Sequence, residues 1–434
     1  MRRLAFVIGS VLSVFAPTLA EAQQRFVAAL RSAQEVPANP STAMGTCMVT
    51  LNAAETTVST ACSYAGLGSA LVAGHIHGIS GVGVNAPIII DLGPPTGATS
   101  GTFSAGPSAI TPTQVAALRS NTLYINLHSS NFPGGEIRGQ LKSTKTIFDR
   151  DGDSRTDLEV FRGSTATFWT QRSLDGGITA EVFGQTSGEN FFQVVAGEWD
   201  GDGIADYMLI SVNANLSFNW KVLQSATGTT RLVNWGGGTG LNDTLAPADY
   251  DGDGILDPAV FRRSTGTWFI LQSSTGTARV ESFGALNDFP SIGDYDGDGR
   301  ADLTVVRSDG VNRIWWTLRS SDGQITVTHW GTAATDGVFF FAPIDIDGDG
   351  KQDIMVNRTV SGQRMFIVLR SSDSTALYLP WGLSTDAPLF GDYDGDGRTD
   401  FVARRNVSGQ LVWFIYQSSN GQPRYAYWGI AGDQ

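Results

Sequence analysis

The chain has 434 residues, 52 of them Gly, with 16% charged and 10% aromatic residues and a net charge of −13. The acidic balance argues against a nucleic-acid or anionic-membrane partner. Much Gly beside few charges fits an all-β protein with many tight turns, long enough for two or three domains.

The first stretch reads as a secretory signal over residues 1–22. Arg2 and Arg3 give the basic start, Leu4 to Ala16 the apolar core, and Ala20-Glu21-Ala22 a small-x-small cleavage site. The apolar run is short for a membrane span, and no cysteine stands at the cleavage point to take a lipid. The expected mature chain starts near Gln23, has no membrane span, and is secreted, at the cell surface or periplasmic.

Residues 25–141 alternate in short strands, broken by Gly, Pro and Asn turns, with one helix-like piece at 111–120. The two cysteines, Cys47 and Cys62, lie in alternating runs around a turn at 52–55. A hairpin there sets them opposite each other, which predicts a cross-strand disulfide in an oxidising compartment; two buried thiols are the alternative. Three of the four histidines are also here. His75 and His77 alternate on a strand and so share a face, and His128 closes another strand. Converging, the three would suit Zn²⁺ or Cu²⁺, and the His-x-His strand is similar to that of copper–zinc superoxide dismutase. Hydrogen bonding to Glu136, Arg138 and nearby backbone, as a structural cluster, is the other reading.

Four pieces of this unit carry a family likeness: Gln34-Glu35-Val36-Pro37, Gly74-His75-Ile76-His77-Gly78, Leu123-Tyr124-Ile125-Asn126-Leu127-His128 and Pro133-Gly134-Gly135-Glu136-Ile137-Arg138-Gly139-Gln140. With them the unit resembles a chordin-type (CHRD) domain. The resemblance implies a compact β-sandwich or barrel of a kind found in secreted proteins.

A short polar connector at 142–147 leads into residues 143–434, which are one repeat. An acidic-x-Asp-Gly-Asp-(Gly/Ser)-x-x-Asp loop begins at Asp149, Glu198, Asp249, Asp294, Asp345 and Asp392, spaced 49, 51, 45, 51 and 47 residues apart. Position 3 is Asp151, Asp200, Asp251, Asp296, Asp347 and Asp394. Position 5 is Asp153, Asp202, Asp253, Asp298, Asp349 and Asp396, and position 9 is Asp157, Asp206, Asp257, Asp302, Asp353 and Asp400. Four carboxylates around a glycine bend repel one another unless a cation sits between them. Oxygen-only, flexible ligation suits Ca²⁺, with the position-7 carbonyls of Arg155, Ile204, Ile255, Arg300, Lys351 and Arg398 as further ligands. These loops hold 24 of the 42 acidic residues, and about six Ca²⁺ would bring −13 close to neutral. The loop is similar to an EF-hand loop but departs from it. Position 12 is Val260 or Val305 instead of Glu, and the run after position 9 is strand-like, so the loop joins two strands.

Each unit continues with a strand, a Ser/Gly turn, an aromatic strand ending in Gln/Arg-Ser, a Gly turn, and a strand ending in aromatic-Gly. One aromatic column is Phe168, Trp220, Trp268, Trp315, Phe366 and Trp413. A second, before the glycine, is Phe183, Trp235, Phe283, Trp330, Trp381 and Trp428. Rings at fixed places suit packing between wedge-shaped sheets, with a sugar-stacking surface as the alternative. A third column is Arg162, Ser211, Arg262, Arg307, Arg358 and Arg405, read as inter-blade salt bridges or hydrogen bonds to backbone, or as a ring for an anionic ligand.

The acidic motif and the Phe/Trp-Gly element together resemble the FG-GAP/VCBS repeats of integrin-α-like β-propellers. The resemblance implies that each loop joins the first two strands of a blade and holds a Ca²⁺. Ser154, Glu198 and Ser211 are the departures. The expected fold is all-β: a CHRD sandwich or barrel, then a calcium-binding propeller of six blades, or seven if closure needs a hidden one. Residues 144–148 are placed to fill the innermost position where the ends meet.

No catalytic constellation stands out. His329 is the only histidine of the repeats, there is no Gly-x-Ser-x-Gly, and evenly repeated carboxylates are unlike a singular catalytic pair. The expected function is a non-catalytic, monomeric adhesion or interaction protein. Its ligand would be an extracellular protein or a glycan, met by variable loops at 236–246, 332–340 and 383–389. The alternatives are an extracellular enzyme, since such propellers accompany lyases and phospholipases and the histidines could hold a reactive metal, or a structural envelope or matrix protein.

Overall fold

The computed structural model describes residues 24–52, 54–80, 83–119, 122–143, 147–153, 155–184, 191–194, 197–238, 240–297, 299–339 and 343–434. The leader at 1–22, connector residues 144–146, Ser154 and Asp298 lie outside them.

The first unit is one antiparallel sheet. Its elements are β1 (Gln24–Arg31), β2 (Met44–Leu51), β3 (Thr57–Ala65), β4 (Leu71–His77), β5 (Ile88–Asp91), β6 (Gly101–Ala109), α1 (Pro112–Arg119), β7 (Tyr124–Ser129), β8 (Ile137–Gln140) and β9 (Lys142–Ser143). The order is β5-β4-β7-β8-β1-β2-β3-β6, with β9 on β1, and the sheet curls into a near-closed barrel. The first two connector residues are thus a strand of this sheet. Alternation does the folding. Along β2 and β3, Cys47, Val49, Leu51, Val58 and Cys62 point into a core shared with Leu30, Leu71, Ile125, Leu127 and Ile137, while the residues between face outward. Register pairs Cys47 with Cys62, and the two form the expected disulfide.

The second unit is a ring of six small antiparallel sheets, so no seventh is present among the described residues. Blade three is representative: Asp243–Leu245, Ala259–Arg262, Thr267–Leu271 and Ala278–Ser282. The outermost strand of each blade carries mostly exposed and half-buried residues and forms the rim. The first aromatic column is fully buried, which makes it core and not a sugar platform. Its tryptophans also bond within the blade: Nε1 of Trp220, Trp268, Trp315 and Trp413 donates to the carbonyl of the second-column residue, at 2.8–3.2 Å.

The second column joins blades. Nε1 of Trp235, Trp330, Trp381 and Trp428 donates to the carbonyls of Phe269, Ile367, Phe414 and Trp169 on the next blade, at 2.9–3.2 Å. The following glycine is required there. At Gly236, Gly331, Gly382 and Gly429 φ is positive, and a Cβ would stand 2.5–2.9 Å from Val260, Val356, Ala403 and Val160 of the next blade. The Trp428–Trp169 bond and the Gly429–Val160 contact close blade six onto blade one.

Closure differs from the expectation in one respect. Blade one has three strands of its own, Leu158–Arg162, Thr167–Gln171 and Ile178–Val182. Its innermost place is split between the two ends of the repeat region. Gln434 exchanges both backbone hydrogen bonds with Phe161, at 2.9 and 3.1 Å, whereas Phe148 accepts from Asp157 N–H at the other end. The N-terminal segment therefore supplies only the loop-side half.

The arginine column also needs correcting. Arg262, Arg307, Arg358 and Arg405 pair with Asp243, Asp288, Asp336 and Asp386, at the first strand of the same blade. These are intra-blade bridges, not inter-blade ones, because the first strand lies directly beside the second. Arg162 pairs with Asp433 in the same geometry, and there the aspartate arrives from the far end of the chain.

Candidate metal centres

Loops two to six each link the first strand of a blade to the second, as expected, and loop one leads from Phe148 into Leu158–Arg162. Each bend is built by position 1. The Asp249 carboxylate accepts from Gly252 N–H at 2.6 Å and Gly254 N–H at 2.8 Å, and Asp294, Asp345 and Asp392 repeat the pattern. Both glycines have positive φ, so the two N–H groups can face one carboxylate. In loop two the longer Glu198 does the same through both oxygens, accepting from Gly201 and Gly203.

Position 9 ties the loop to the rest of its blade. One oxygen accepts from position 2 N–H, and the other accepts at 2.6–2.7 Å from the N–H of the serine two residues past the strand that follows the blade's second: Ser173, Ser225, Ser273, Ser320, Ser371 or Ser418. Position 3 reaches the following residue of that turn. Asp251, Asp296, Asp347 and Asp394 accept from both N–H and Oγ of Ser274, Ser321, Ser372 and Ser419.

Positions 1, 3 and 9 converge. In loops one to four, Asp149/Asp151/Asp157, Glu198/Asp200/Asp206, Asp249/Asp251/Asp257 and Asp294/Asp296/Asp302 each bring one oxygen per residue within 4.8 Å of the others. Position 5 is outside these sets. Oδ1 of Asp153, Asp202, Asp253, Asp349 and Asp396 accepts from the N–H at position 7 and from the serine hydroxyl, at 2.8–3.0 Å. An Asx-type turn competes for this side chain and holds it. The side chains of Arg155 and Arg398 at position 7 fold back onto Asp153 and Asp396.

Burial and mutual repulsion raise these carboxyl pKa values. Burial, then Asp153, Asp157 and Asp149, push Asp151 up to about 9. Burial is also the leading cause for Glu198 and Asp249, at about 8, and for Asp157, Asp206, Asp302, Asp353 and Asp400, at about 7. Oδ1 of Asp251 and of Asp394 is buried with no hydrogen-bond donor. A buried acceptor of this kind needs either a proton or a cation. The donor set is all oxygen and fits a hard cation.

The loops are not separate. The position-1 carbonyl of each accepts from the position-8 N–H of the next, at 2.6–2.8 Å: Asp149 from Ala205, Glu198 from Leu256, Asp249 from Ala301, Asp294 from Gln352, Asp345 from Thr399, and Asp392 from Thr156. Six bonds make a closed ring around one face. The CHRD unit touches that face, where Gln34 Nε2 donates to Gly152 O, Thr46 Oγ1 donates to Asp202 O, and Arg31 stands 4.0 Å from Asp202.

The three CHRD histidines also gather, one ring nitrogen of each within 4.8 Å of the others. His75 Nδ1 is 3.0 Å from His128 Nε2. His77 Nδ1 donates to Ala86 O at 2.9 Å, and His128 Nδ1 donates to Pro133 O at 3.0 Å. His77 stacks on Tyr124, whose other face carries the Arg138 guanidinium 3.5 Å from the ring centre. Glu136 bonds Ser41 and Gly68 instead of the histidines, and Arg138 bonds Asn85 and Val84. Burial lowers the pKa of His77 and His128.

Sequence reasoning missed the serine that closes each loop, followed by a second serine in loops three to six. Its signal was present, since Gln/Arg-Ser recurs in every unit. The aspartates opposite the arginine column were missed too, although three of them, Asp243, Asp288 and Asp386, stand six residues before a loop.

Residues 26–141 match the CHRD domain model, and residues 294–356 match the model of an FG-GAP-like repeat. No curated protein matches the chain. Among solved structures, TolB from Acinetobacter baumannii is similar over 72% of this chain and 77% of its own, at 11% identity and a TM-score of 0.44. The rhamnogalacturonan lyase PL11 of Bacillus licheniformis is similar over 95% and 70%, at 13% identity and 0.30. The exotype rhamnogalacturonan lyase YesX is similar over 85% and 64%, at 14% identity and 0.31, so the chain spans less than two thirds of that protein. The chain is a CHRD domain joined to a six-bladed β-propeller that carries an FG-GAP-like repeat.

Proposed function

We infer that the chain is a secreted calcium-binding interaction protein whose propeller displays a ligand surface and catalyses no reaction. One observation carries this reading: one carboxylate oxygen from each of three residues gathers in each of loops one to four, and buried oxygens at Asp251 of loop three and Asp394 of loop six are left without donors. Bound Ca²⁺ would supply the positive charge that lets buried carboxylates ionise together. Positions 1, 3 and 9 would hold it, with the position-7 carbonyls of Arg155, Ile204, Ile255, Arg300, Lys351 and Arg398 alongside. The residues' own part is rigidity, because the same carboxylates fasten the glycine bend and the serine turn.

Antiparallel alternation puts the connections between blades on the face opposite the acidic loops. That face holds 240–242 and 384–386, within the variable loops, whereas the CHRD contacts fall on the acidic face. The connection face is where an extracellular protein or glycan would be met. In the leader-free chain, calorimetric titration should give about six Ca²⁺, and each site at a hundred times its Kd adds about 2.7 kcal/mol to stability. EGTA should then lower Tm by roughly 10 °C or more, and binding on a glycan and ectodomain array should require Ca²⁺. A chain that takes up no Ca²⁺ and melts unchanged in EGTA overturns the reading.

A further inference from the structure

The polar face of the CHRD barrel holds the other concentration of ligand atoms, and nothing in the acidic-loop reading uses it. β4 and β7 are neighbours, and on their outward face they place His75, His77, Tyr124, Asn126 and His128 together. The two buried rings have fixed tautomers. His77 and His128 each donate Nδ1–H to a backbone carbonyl, so each neutral ring presents an Nε2 lone pair inward. The His128 lone pair meets His75 Nδ1, whose proton can move to Nε2 of the same ring. The His77 Nε2 lone pair meets nothing: it is buried and has no hydrogen-bond partner.

A structural cluster would not leave that nitrogen bare. Orphaned buried acceptors are uncommon because each forfeits its hydration without replacement. A cation bound by His75 Nδ1, His77 Nε2 and His128 Nε2 would satisfy all three. Ligands about 2.0–2.1 Å from a tetrahedral centre lie about 3.3 Å apart; His75 Nδ1 and His128 Nε2 are 3.0 Å apart, and one ring nitrogen of each of the three histidines lies within 4.8 Å of the others. Small ring rotations close that gap. Backbone carbonyls behind two of the ligands are the kind of second shell that orients metal-binding imidazoles. His77 and His128 are buried while His75 is half-buried, so the cluster meets solvent at His75.

We propose that His75, His77 and His128 form a three-imidazole site for a divalent d-block cation, Zn²⁺ or Cu²⁺, whose fourth position opens to solvent beside His75. Three neutral nitrogens with no carboxylate or thiolate in the set favour these ions over Ca²⁺ or Mg²⁺. An open fourth position marks a site able to take water or a ligand, in contrast to a closed structural one.

The test uses the leader-free full chain in excess Ca²⁺, so that the acidic loops are occupied by their own ion. Zn²⁺ and Cu²⁺ are titrated separately by calorimetry, metal content is measured after desalting, and Co²⁺ is added as a spectroscopic probe. The expected result is one equivalent of Zn²⁺ or Cu²⁺ and the visible absorption of low-coordinate Co²⁺. His77→Ala should weaken binding by more than about 100-fold, the upper range for losing even a second-shell partner, and leave Ca²⁺ uptake unchanged. His75→Ala, at the half-buried position, serves if His77→Ala does not fold, and should lose the Co²⁺ spectrum. His329→Ala, at an exposed position in the propeller, should keep the full equivalent. Absence of stoichiometric uptake, or uptake that survives both His75→Ala and His128→Ala, overturns the proposal. Whichever of Zn²⁺ and Cu²⁺ binds at one equivalent identifies the ion.

Discussion

Asp433→Ala is the sharpest test of how the propeller closes. If the ring were not closed through Asp433, the substitution would remove no paired side chain and cost nothing. In the structure its side chain is 1% exposed and takes two bonds from Arg162, at 2.8 and 2.9 Å, plus one from Ile430 N–H. Asp243 does the same in blade three with Arg262 and Gly237 N–H. Breaking a buried ion pair costs about 3–5 kcal/mol. Here each arginine is about a quarter exposed or less and recovers part of its hydration, which brings the figure to about 2–3 kcal/mol. For a unit of this size that is a Tm drop of roughly 5–10 °C. Calcium-loaded wild type, Asp433→Ala and Asp243→Ala are compared by calorimetric melting and urea denaturation. Equal losses in the two variants are expected. A neutral Asp433→Ala beside a damaging Asp243→Ala would mean that the C-terminal residues do not complete blade one.

The same geometry sets three further outcomes. Trp428→Phe keeps the ring but removes the donor to Trp169 O, and should cost about 0.5–1.5 kcal/mol, the same as Trp330→Phe at an ordinary joint; urea midpoints decide it, and a much larger loss at Trp428 would mean that the closing joint is built differently. Position 9 should matter more than position 5: Asp257→Asn puts an amide NH₂ against a backbone donor and should delete one Ca²⁺ from the titration, whereas Asp253→Asn keeps its accepting oxygen and should weaken its site far less. Metal-free chain should lose stability as pH rises from about 4, the ordinary carboxylate value, through the folded-state values near 7 and 8 of Asp302 and Asp249. In that window the folded state holds protons that the unfolded chain has released, so Ca²⁺ binding at pH 6.5 should expel protons, seen as a buffer-dependent binding enthalpy; a buffer-independent enthalpy would count against the raised values.

The parts legible in the sequence were those that recur with a period. Six copies of one loop pointed to six blades with a hidden seventh left open, and the aromatic and glycine columns located the joints, because packing between equal wedges demands the same shape at the same place each time. The disulfide was legible for a related reason, since a two-strand register is a local matter. The parts that escaped notice depend on what folding brings alongside. Position 5 looked like its neighbours in composition, yet a serine 20 to 23 residues later donates to its oxygen. Gln434 completes the strand beside Phe161, a pairing that no periodicity announces. The bare nitrogen of His77 results from a carbonyl at Ala86, in a loop with no pattern of its own.

The position-1 residue explains why acid could be concentrated so heavily in this ring. Its carboxylate belongs to its own loop, where it accepts from the glycine N–H groups and faces positions 3 and 9. Its carbonyl belongs to the next loop, where it accepts from the N–H beside that loop's position-9 ligand. On the proposed reading, a cation that ordered one loop would fix the backbone plane that orients a carboxylate in the neighbour, and in a closed ring no loop stands at an end. Six isolated acid turns would each have to order their own backbone before binding. Linked head to tail, each is held by the loop before it and holds the one after, so part of that entropy is met once for the whole ring.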